Sequence, residues 1–298
     1  MQSLITGATG FIGSHLAARL DHPVEVGRDA RRLQKRLPDA QARQWNPSGE
    51  IDPAIFTGID AVFHLAGESI FGGRWNRAKK DRIMRSRVEG TRNLVRALAR
   101  LEQPPRVLVC SSAVGYYGSR GDEILTEYSA GGRDFLAAVC TAWEEEAARA
   151  EAAGIRVVSV RTGVVLGPDG GVLAQMRTPF LIGMGARLGN GRQYMSWIHI
   201  DDLVGIFLHA AQNDNVRGPI NAVSPNPVTN REFTAALAAA VHRPALLWIP
   251  SLVLHAGLGE FATVVLGSQR VIPEKAARTG YSFKYPLIGD ALRAALHP

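Results

Sequence analysis

Three glycines at a spacing of three, Gly7, Gly10 and Gly13 in "TGATGFIG", follow a short apolar run and open a segment of helical period. Residues of this kind hold phosphate: the first glycine permits a tight turn, the second lets the backbone approach a pyrophosphate, the third lets helix pack closely on strand, and the helix N-terminus faces the anion. Thr9, Phe11 and Ile12 ride on the same loop and are expected at the ligand. The second strand, "VEVGRDA", ends at Arg28, where a dinucleotide site usually carries an acid for the adenosine ribose diol. A guanidinium cannot accept from a hydroxyl but pairs well with phosphate. Arg28, helped by Arg31 or Arg32, therefore favours the 2′-phosphorylated cofactor NADP(H). Asp29 competes: if it faces the ribose instead, the preference weakens or reverses.

The fourth strand, "DAVFHLAGES", should end beside the glycine loop, so Leu65, Ala66, Gly67 and Glu68 would line the cofactor cleft, with Ser111 and Ser112 at the end of "RVLVCSS". His64, inside a strand, reads as a satisfied core histidine; Glu68 reads equally as a ligand-facing carboxylate or as a cap or ion pair. Two groups are candidates for moving a proton. Tyr117 is expected at the cleft mouth, its phenol activated by Arg74 or Lys79, against the alternative of a loop tyrosine packing over the sheet end. Cys140 shares a helix stripe with Leu136 and Glu144 and is a weak acid/base or a small buried apolar group. Arg74 and Trp75 precede a long helix on the cleft side, where they could grip a substrate phosphate or carboxylate. Most basic residues at the start of that helix, Lys79, Arg85 and Arg87 among them, should be solvated, because Met84, Val88, Thr91, Val95 and Leu98 already form a packing stripe.

The elements that must position these groups alternate. Apolar strand-like runs and helical segments follow one another from "SLIT" to "IRVVSVRTGVVLG", the mark of βαβ units. The expected fold is α/β, a doubly wound parallel Rossmann sheet over residues 1–166 with a returning segment at about 196–224, and a smaller C-terminal substrate lobe from 167–195 and 225–298. Phe135, Val139, Trp143 and Ala147 recur every four residues and predict the buried face of a helix, and Asp201 is placed to cap another. At 298 residues the chain can bury a full core, and Cys110 and Cys140 suit reduced thiols rather than a disulfide framework. No segment reaches the ~18 apolar residues of a membrane span, and the N-terminus lacks the features of a secretory signal, so a cytoplasmic protein with no membrane partner is expected. The net charge of +7 is dispersed, which gives nucleic-acid binding little local support, and no metal-ligand spacing occurs.

"TGATGFIG", "DAVFHLAGE", "RVLVCSSAVGYYG", "VRTGVVLGPDGG" and "SWIHIDDLVGIF", in this order, resemble the extended short-chain dehydrogenase/reductases. "GRWN", "FLAAVCTAWE" and "IPEKAARTGYSFKYPLIGDAL" are similar to the atypical branch known as epimerase-family, or nucleoside-diphosphate-sugar epimerase, proteins. The resemblance implies an NADP(H)-dependent oxidoreductase or epimerase-like enzyme on a small carbonyl, alcohol or nucleotide-sugar-like substrate, with Trp197 and His199 at the substrate pocket, and raises a homodimer through the fourth and fifth helices. The family's tetrad places a tyrosine and lysine four apart, so that a proton at oxygen matches a hydride at carbon. Here Arg87 stands at its asparagine position, Ala113 or the adjacent Ser112 at the hydroxyl, and Leu136 with Cys140, or Ala137 with Thr141, at the tyrosine and lysine. The alternative to an enzyme is a catalytically silent NADP(H)-binding sensor.

Overall fold

In the computed structural model, which describes residues 1–29, 33, 41–46, 49, 51–72 and 75–297, seven strands pair in parallel. They are β1 (Ser3–Thr6), β2 (Val24–Gly27), β3 (Gln41–Gln44), β4 (Ala61–His64), β5 (Val107–Ala113), β6 (Arg156–Thr162) and β7 (Gly218–Ala222). Their order across the sheet is β7-β6-β5-β4-β1-β2-β3. The chain leaves β1 toward β2 on one side and returns as β4 on the other, which opens a crevice at the carboxyl ends of β1 and β4.

A sheet covered on both faces needs apolar residues at successive positions. Ile5, Phe63, Val109, Val158 and Val160 point to one face, under α1 (Phe11–Ala17) and α4 (Ile200–Gln212). Leu4, Val62, Leu108 and Val157 point to the other, under α2 (Arg77–Leu98) and α3 (Phe135–Ala148). Phe63 is wholly enclosed, and truncating it to alanine would cost about 3–5 kcal/mol.

Side chains set where these helices start. Asn76 Oδ1 accepts from Lys79 N at 2.8 Å to open α2, and Asp134 Oδ1 accepts from Ala137 N at 2.9 Å to open α3. Val139, Trp143 and Ala147 are buried on α3 as the four-residue spacing predicts, with Phe135 half-buried. On α2 the inward stripe is Ile83, Thr91, Leu94, Val95 and Leu98, while Met84 and Val88 are only half-buried. The expected stripe was rotated about one residue off at its N-terminal end, because Lys79 and Arg87 turn inward there. Asp201 is not the cap of α4. The helix begins two residues earlier with His199 as its cap, His199 Nδ1 accepts from Asp201 N at 3.2 Å, and the Asp201 carboxylate pairs with Lys284 at 2.7 Å.

The smaller C-terminal region has its own apolar cluster, with Leu166, Phe180, Trp197, Phe233, Leu237 and Leu292 at its centre. Its tail is tied to α4 by Asp202, whose carboxylate accepts from Lys284 N at 2.7 Å and Tyr285 N at 2.9 Å. Among the described residues, no helix is long and apolar enough to cross a membrane.

Candidate functional site

The glycine loop touches the end of β4. Gly7 takes φ +79°, and a Cβ built on it would lie 2.9 Å from Ala66 N and Leu65 C; one on Gly13 would lie 2.2 Å from Gly7 O. Both positions therefore exclude a side chain. Gly10 opens α1 without a side-chain cap, no acidic residue occupies the first turn, and Thr9 and Gly10 are exposed. This helix start, with no capping side chain and no acid, suits a pyrophosphate, and Phe11 and Ile12 at its head are half-buried. Arg28 stands exposed immediately beyond β2. Arg31, Arg32 and Arg74 lie outside the described residues.

At the mouth of β4, Thr6 Oγ1 lies 2.7 Å from His64 Nδ1, Thr91 Oγ1 lies 3.0 Å from Nε2, and Ala66 N donates to Thr6 Oγ1 at 3.3 Å. His64 is thus a satisfied core residue, and burial lowers its pKa to about 4. Half-buried Leu65 and Ala66 and exposed Gly67 lead to Glu68. Its carboxylate pairs with Lys79 Nζ at 2.9 Å, with Arg82 Nε at 3.8 Å, and is held below the usual range chiefly by the Lys79 hydrogen bond. Arg87 is no solvated cation: its Nη1 donates to Glu68 O at 2.9 Å and Ile83 O at 3.2 Å, and its guanidinium lies 5.0 Å from the Trp143 ring. It props the loop that carries Gly67, where a Cβ would approach its Cζ to 3.3 Å.

The two proton-transfer candidates sit inside the protein. Tyr117 is fully buried in place of the expected position at the cleft mouth; its hydroxyl donates to Asn221 Oδ1 at 2.7 Å and accepts from Arg161 Nη1 at 3.0 Å, and burial raises its pKa to about 12. Of the two expected activators Lys79 is committed to Glu68, and Arg74 lies outside the described residues. The ring fills a small apolar cluster with Val114, Leu125, Val223 and Val271, which a phenol at the mouth would leave hollow. Cys140 is also buried, and burial followed by the nearby Glu144 charge raises its thiol to about 11. Ser112 donates its hydroxyl to Glu144 Oε1 at 2.6 Å, and Ser111 is half-buried beside it.

Leu136 packs with Ile70, Phe135, Phe261 and Val264 around Trp75, whose indole N–H donates to Ile70 O at 2.9 Å. The segment carrying Phe261 thereby reaches from the C-terminal region across to α2 and α3, with Lys80 paired to Glu260 at 2.7 Å. Trp197 lies in the core of the C-terminal region, donating Nε1 to Asn226 O at 3.0 Å. His199 is nearly as buried, its ring 4.1 Å from that of Tyr285 and its Nε2 without a hydrogen-bond partner among the described residues. The structure brings the glycine loop, residues 65–68 and Arg87 together, and turns Trp197 and Tyr117 away from any opening.

Two features escaped the residue-by-residue reading. Gly167, Gly170 and Gly171 press on the Phe11 ring, with a Cβ on Gly170 only 2.5 Å from Phe11 Cγ, so the "GPDGG" turn seals one flank of the glycine loop. A cleft of about 860 Å³ is lined by Asn190, Arg192, Tyr194 and Arg231, by the acids Asp122 and Glu232, and by Ser268, whose Oγ accepts from Tyr194 N at 2.9 Å. Its walls were signalled by the glycine-rich "GNGRQ" and by "TNRE", which forms a capping box between Thr229 and Glu232. Among the described residues no cluster of side chains suits a metal ion.

Residues 3–223 match the family described as the NAD dependent epimerase/dehydratase family, and residues 249–295 match a domain of unknown function, DUF1731. Epimerase family protein Mb2239 of Mycobacterium bovis is 44% identical over 294 residues, spanning 97% of this chain and 95% of its own. The crystal structure of human epimerase family protein SDR39U1 (isoform 2) with NADPH has a TM-score of 0.87 at 35% identity, over 99% of both chains. UDP-glucuronic acid 4-epimerase of Bacillus cereus in complex with NAD shares the fold, with a TM-score of 0.79 at 18% identity over 99% of this chain and 97% of that one.

Proposed function

Because the chain belongs to the NAD-dependent epimerase/dehydratase family, we propose that it is an NADP(H)-dependent oxidoreductase or epimerase-like enzyme, acting on a small carbonyl, alcohol or nucleotide-sugar-like molecule. The observation that carries the cofactor choice is that exposed Arg28 stands directly beyond β2, where a dinucleotide fold meets the adenosine ribose. The human relative crystallised with NADPH supports the same choice. Bound there, the nicotinamide would supply or accept hydride.

The chain's own residues divide the remaining work. The backbone around Gly7, Gly10 and Gly13 receives the pyrophosphate, Arg28 the 2′-phosphate, and Arg87 fixes the loop of Ala66, Gly67 and Glu68 through the Glu68 carbonyl. Arg192 and Arg231, which share the cleft with Asp122 and Glu232, offer their guanidinium groups to an anionic part of the substrate. Residues 1–166 with 196–224 form the cofactor unit in this reading, and 167–195 with 225–298 the substrate unit. The Tyr117 hydroxyl is buried on Asn221 and the Cys140 thiol stays protonated near neutrality, so a noncanonical group or water carries the proton.

Ligand-induced thermal shift tests the cofactor assignment: NADPH should stabilise the protein more than NADH, and Arg28→Asp should erase the difference. A larger shift with NADH would overturn it. Ketones, quinones and nucleotide sugars, followed at the nicotinamide absorbance, then test turnover. The apolar packing of Leu136 where the family carries its tyrosine favours a second reading, a catalytically silent NADP(H) sensor. That reading expects tight NADPH binding and no absorbance change with any substrate class.

A further inference from the structure

Among the described residues, eight large apolar side chains from three neighbouring segments of the C-terminal region stand in the open. Leu181, Ile182 and Met184 end the helix Leu173–Leu181 and the turn after it; Leu246, Leu247 and Trp248 lead through the strand Leu247–Ile249; Leu252 and Val253 lie on the helix Ser251–Leu258. Leu246 is 87% exposed, Leu252 79%, Ile182 65% and Trp248 58%. The helix Ser251–Leu258 carries no Asp, Glu, Lys or Arg, yet of its residues only Leu254 is buried. These segments are joined. Strand Leu247–Ile249 runs parallel to Ala186–Leu188, the Trp248 indole N–H donates to Gly189 O at 2.6 Å, and Arg243 Nε donates to Leu181 O at 3.2 Å. An apolar surface of this continuity is rarely left to water.

Its charge says what covers it. No acidic residue occurs between Asp169 and Asp201 or between Glu232 and Glu260, the two stretches that build the face. Of their basic residues, Arg177, His242, Arg243 and His255 are exposed, while Arg187 buries its Nε and Arg192 lines the cleft. Exposed Arg177 sits one helical turn before Leu181, exposed Arg243 is bonded to the Leu181 carbonyl, and exposed His255 follows Leu252 by one turn. A second copy of the chain would bring the same arginines to a shared seam with no acid in either stretch to meet them. An anionic surface meets them directly.

We propose that this face docks on the surface of an anionic phospholipid bilayer, with Trp248, Leu252 and their neighbours at the acyl boundary and Arg177 and Arg243 among the headgroup phosphates. The lack of a spanning segment, from which no membrane partner was expected, does not bear on surface association of this kind.

Co-sedimentation with vesicles tests it. The full chain should pellet with phosphatidylcholine/phosphatidylglycerol vesicles and stay in solution with phosphatidylcholine alone, and raising the salt should weaken the binding. Trp248→Ser with Leu252→Asp should abolish pelleting, and Arg177→Glu with Arg243→Glu should weaken it by about tenfold or more. All four side chains are exposed, and an unchanged Tm and an unchanged NADPH shift would show that the variants fold. Failure to pellet with anionic vesicles, or pelleting that persists in Trp248→Ser/Leu252→Asp, overturns the proposal. So does a concentration-dependent dimer that the same pair of substitutions dissociates, since the face would then be a homotypic interface.

Discussion

Arg161 and Glu144 form a two-pronged ion pair between β6 and α3: Nε donates to Oε1 at 2.9 Å and Nη2 to Oε2 at 2.8 Å, with the guanidinium almost fully enclosed. Burial works against the Arg161 charge, yet the Glu144 hydrogen bonds and charge outweigh it and raise the pKa. The same carboxylate accepts from Ser112, and the same guanidinium donates to Tyr117 and lies 3.4 Å from the Tyr116 ring centre. The residues beside the missing tyrosine and lysine are thereby knitted into a rigid wall.

Removing one partner of that pair should therefore cost more than removing both. Glu144→Gln leaves a buried, uncompensated guanidinium and should destabilise the fold by about 3–5 kcal/mol, measured by urea unfolding. Glu144→Leu combined with Arg161→Met should restore a large part of that loss, with a coupling of about 1 kcal/mol or more between the two sites. Additive losses would show that the pair does not act as a unit.

The glycine loop makes a sharper demand. A Cβ on Gly13 would stand 2.2 Å from Gly7 O, so Gly13→Ala should push the loop off α1 and abolish the NADPH-induced thermal shift. Gly257→Ala provides the control, because a Cβ there meets nothing within 4 Å and the residue lies in an exposed helix. It should keep the NADPH response and raise Tm slightly, in line with the helix preference of alanine over glycine.

The closure over Phe11 can be tested as a coupling. Gly170→Val must move the Phe11 ring, since a Cβ at 170 falls 2.5 Å from Cγ. Calorimetry should show NADPH bound about tenfold more weakly, and Phe11→Ala added to Gly170→Val should recover much of that loss. Equal and additive effects of the two substitutions would mean that the turn and the loop do not communicate.

Local chemistry was legible in the sequence. The parallel sheet, the glycine turn before α1, the buried stripe of α3 and the core role of His64 all rest on spacing and residue type within a few positions. Arg87 and Trp197 turn inward where residue type or position in a motif points to solvent or to the pocket, and Tyr117 takes the packed alternative instead of the cleft mouth. Their burial depends instead on partners 19 to 104 positions away: the Glu68 carbonyl for Arg87, Asn221 for Tyr117 and Asn226 for Trp197. Periodicity carries no information about such contacts. The cleft around Arg192 and Arg231 shows the same limit, since its walls come from loops that meet only after the smaller region folds.

Two buried titratable groups give the stability a pH dependence whose parts have opposite sign. His64, enclosed between Thr6 and Thr91, has its pKa lowered from 6.5 to about 4 by burial. Between those values the unfolded chain binds a proton that the folded one refuses, so this group's contribution rises with pH and is lost as pH falls below 6.5, with a slope of at most about 1.4 kcal/mol per pH unit. Glu25 on β2 has its pKa raised from 4.5 to about 7 by burial. There the folded state keeps a proton that the unfolded state has shed, so its contribution declines as pH rises from 4.5 through 7. The wild-type curve mixes both, and the variants separate them. His64→Asn should flatten the rise below pH 6.5, whereas Glu25→Gln should gain stability relative to wild type at pH 8 and lose that advantage below pH 4.5. Urea unfolding of the three proteins at intervals across this range reads the slopes directly, and three parallel curves would remove both residues from the account.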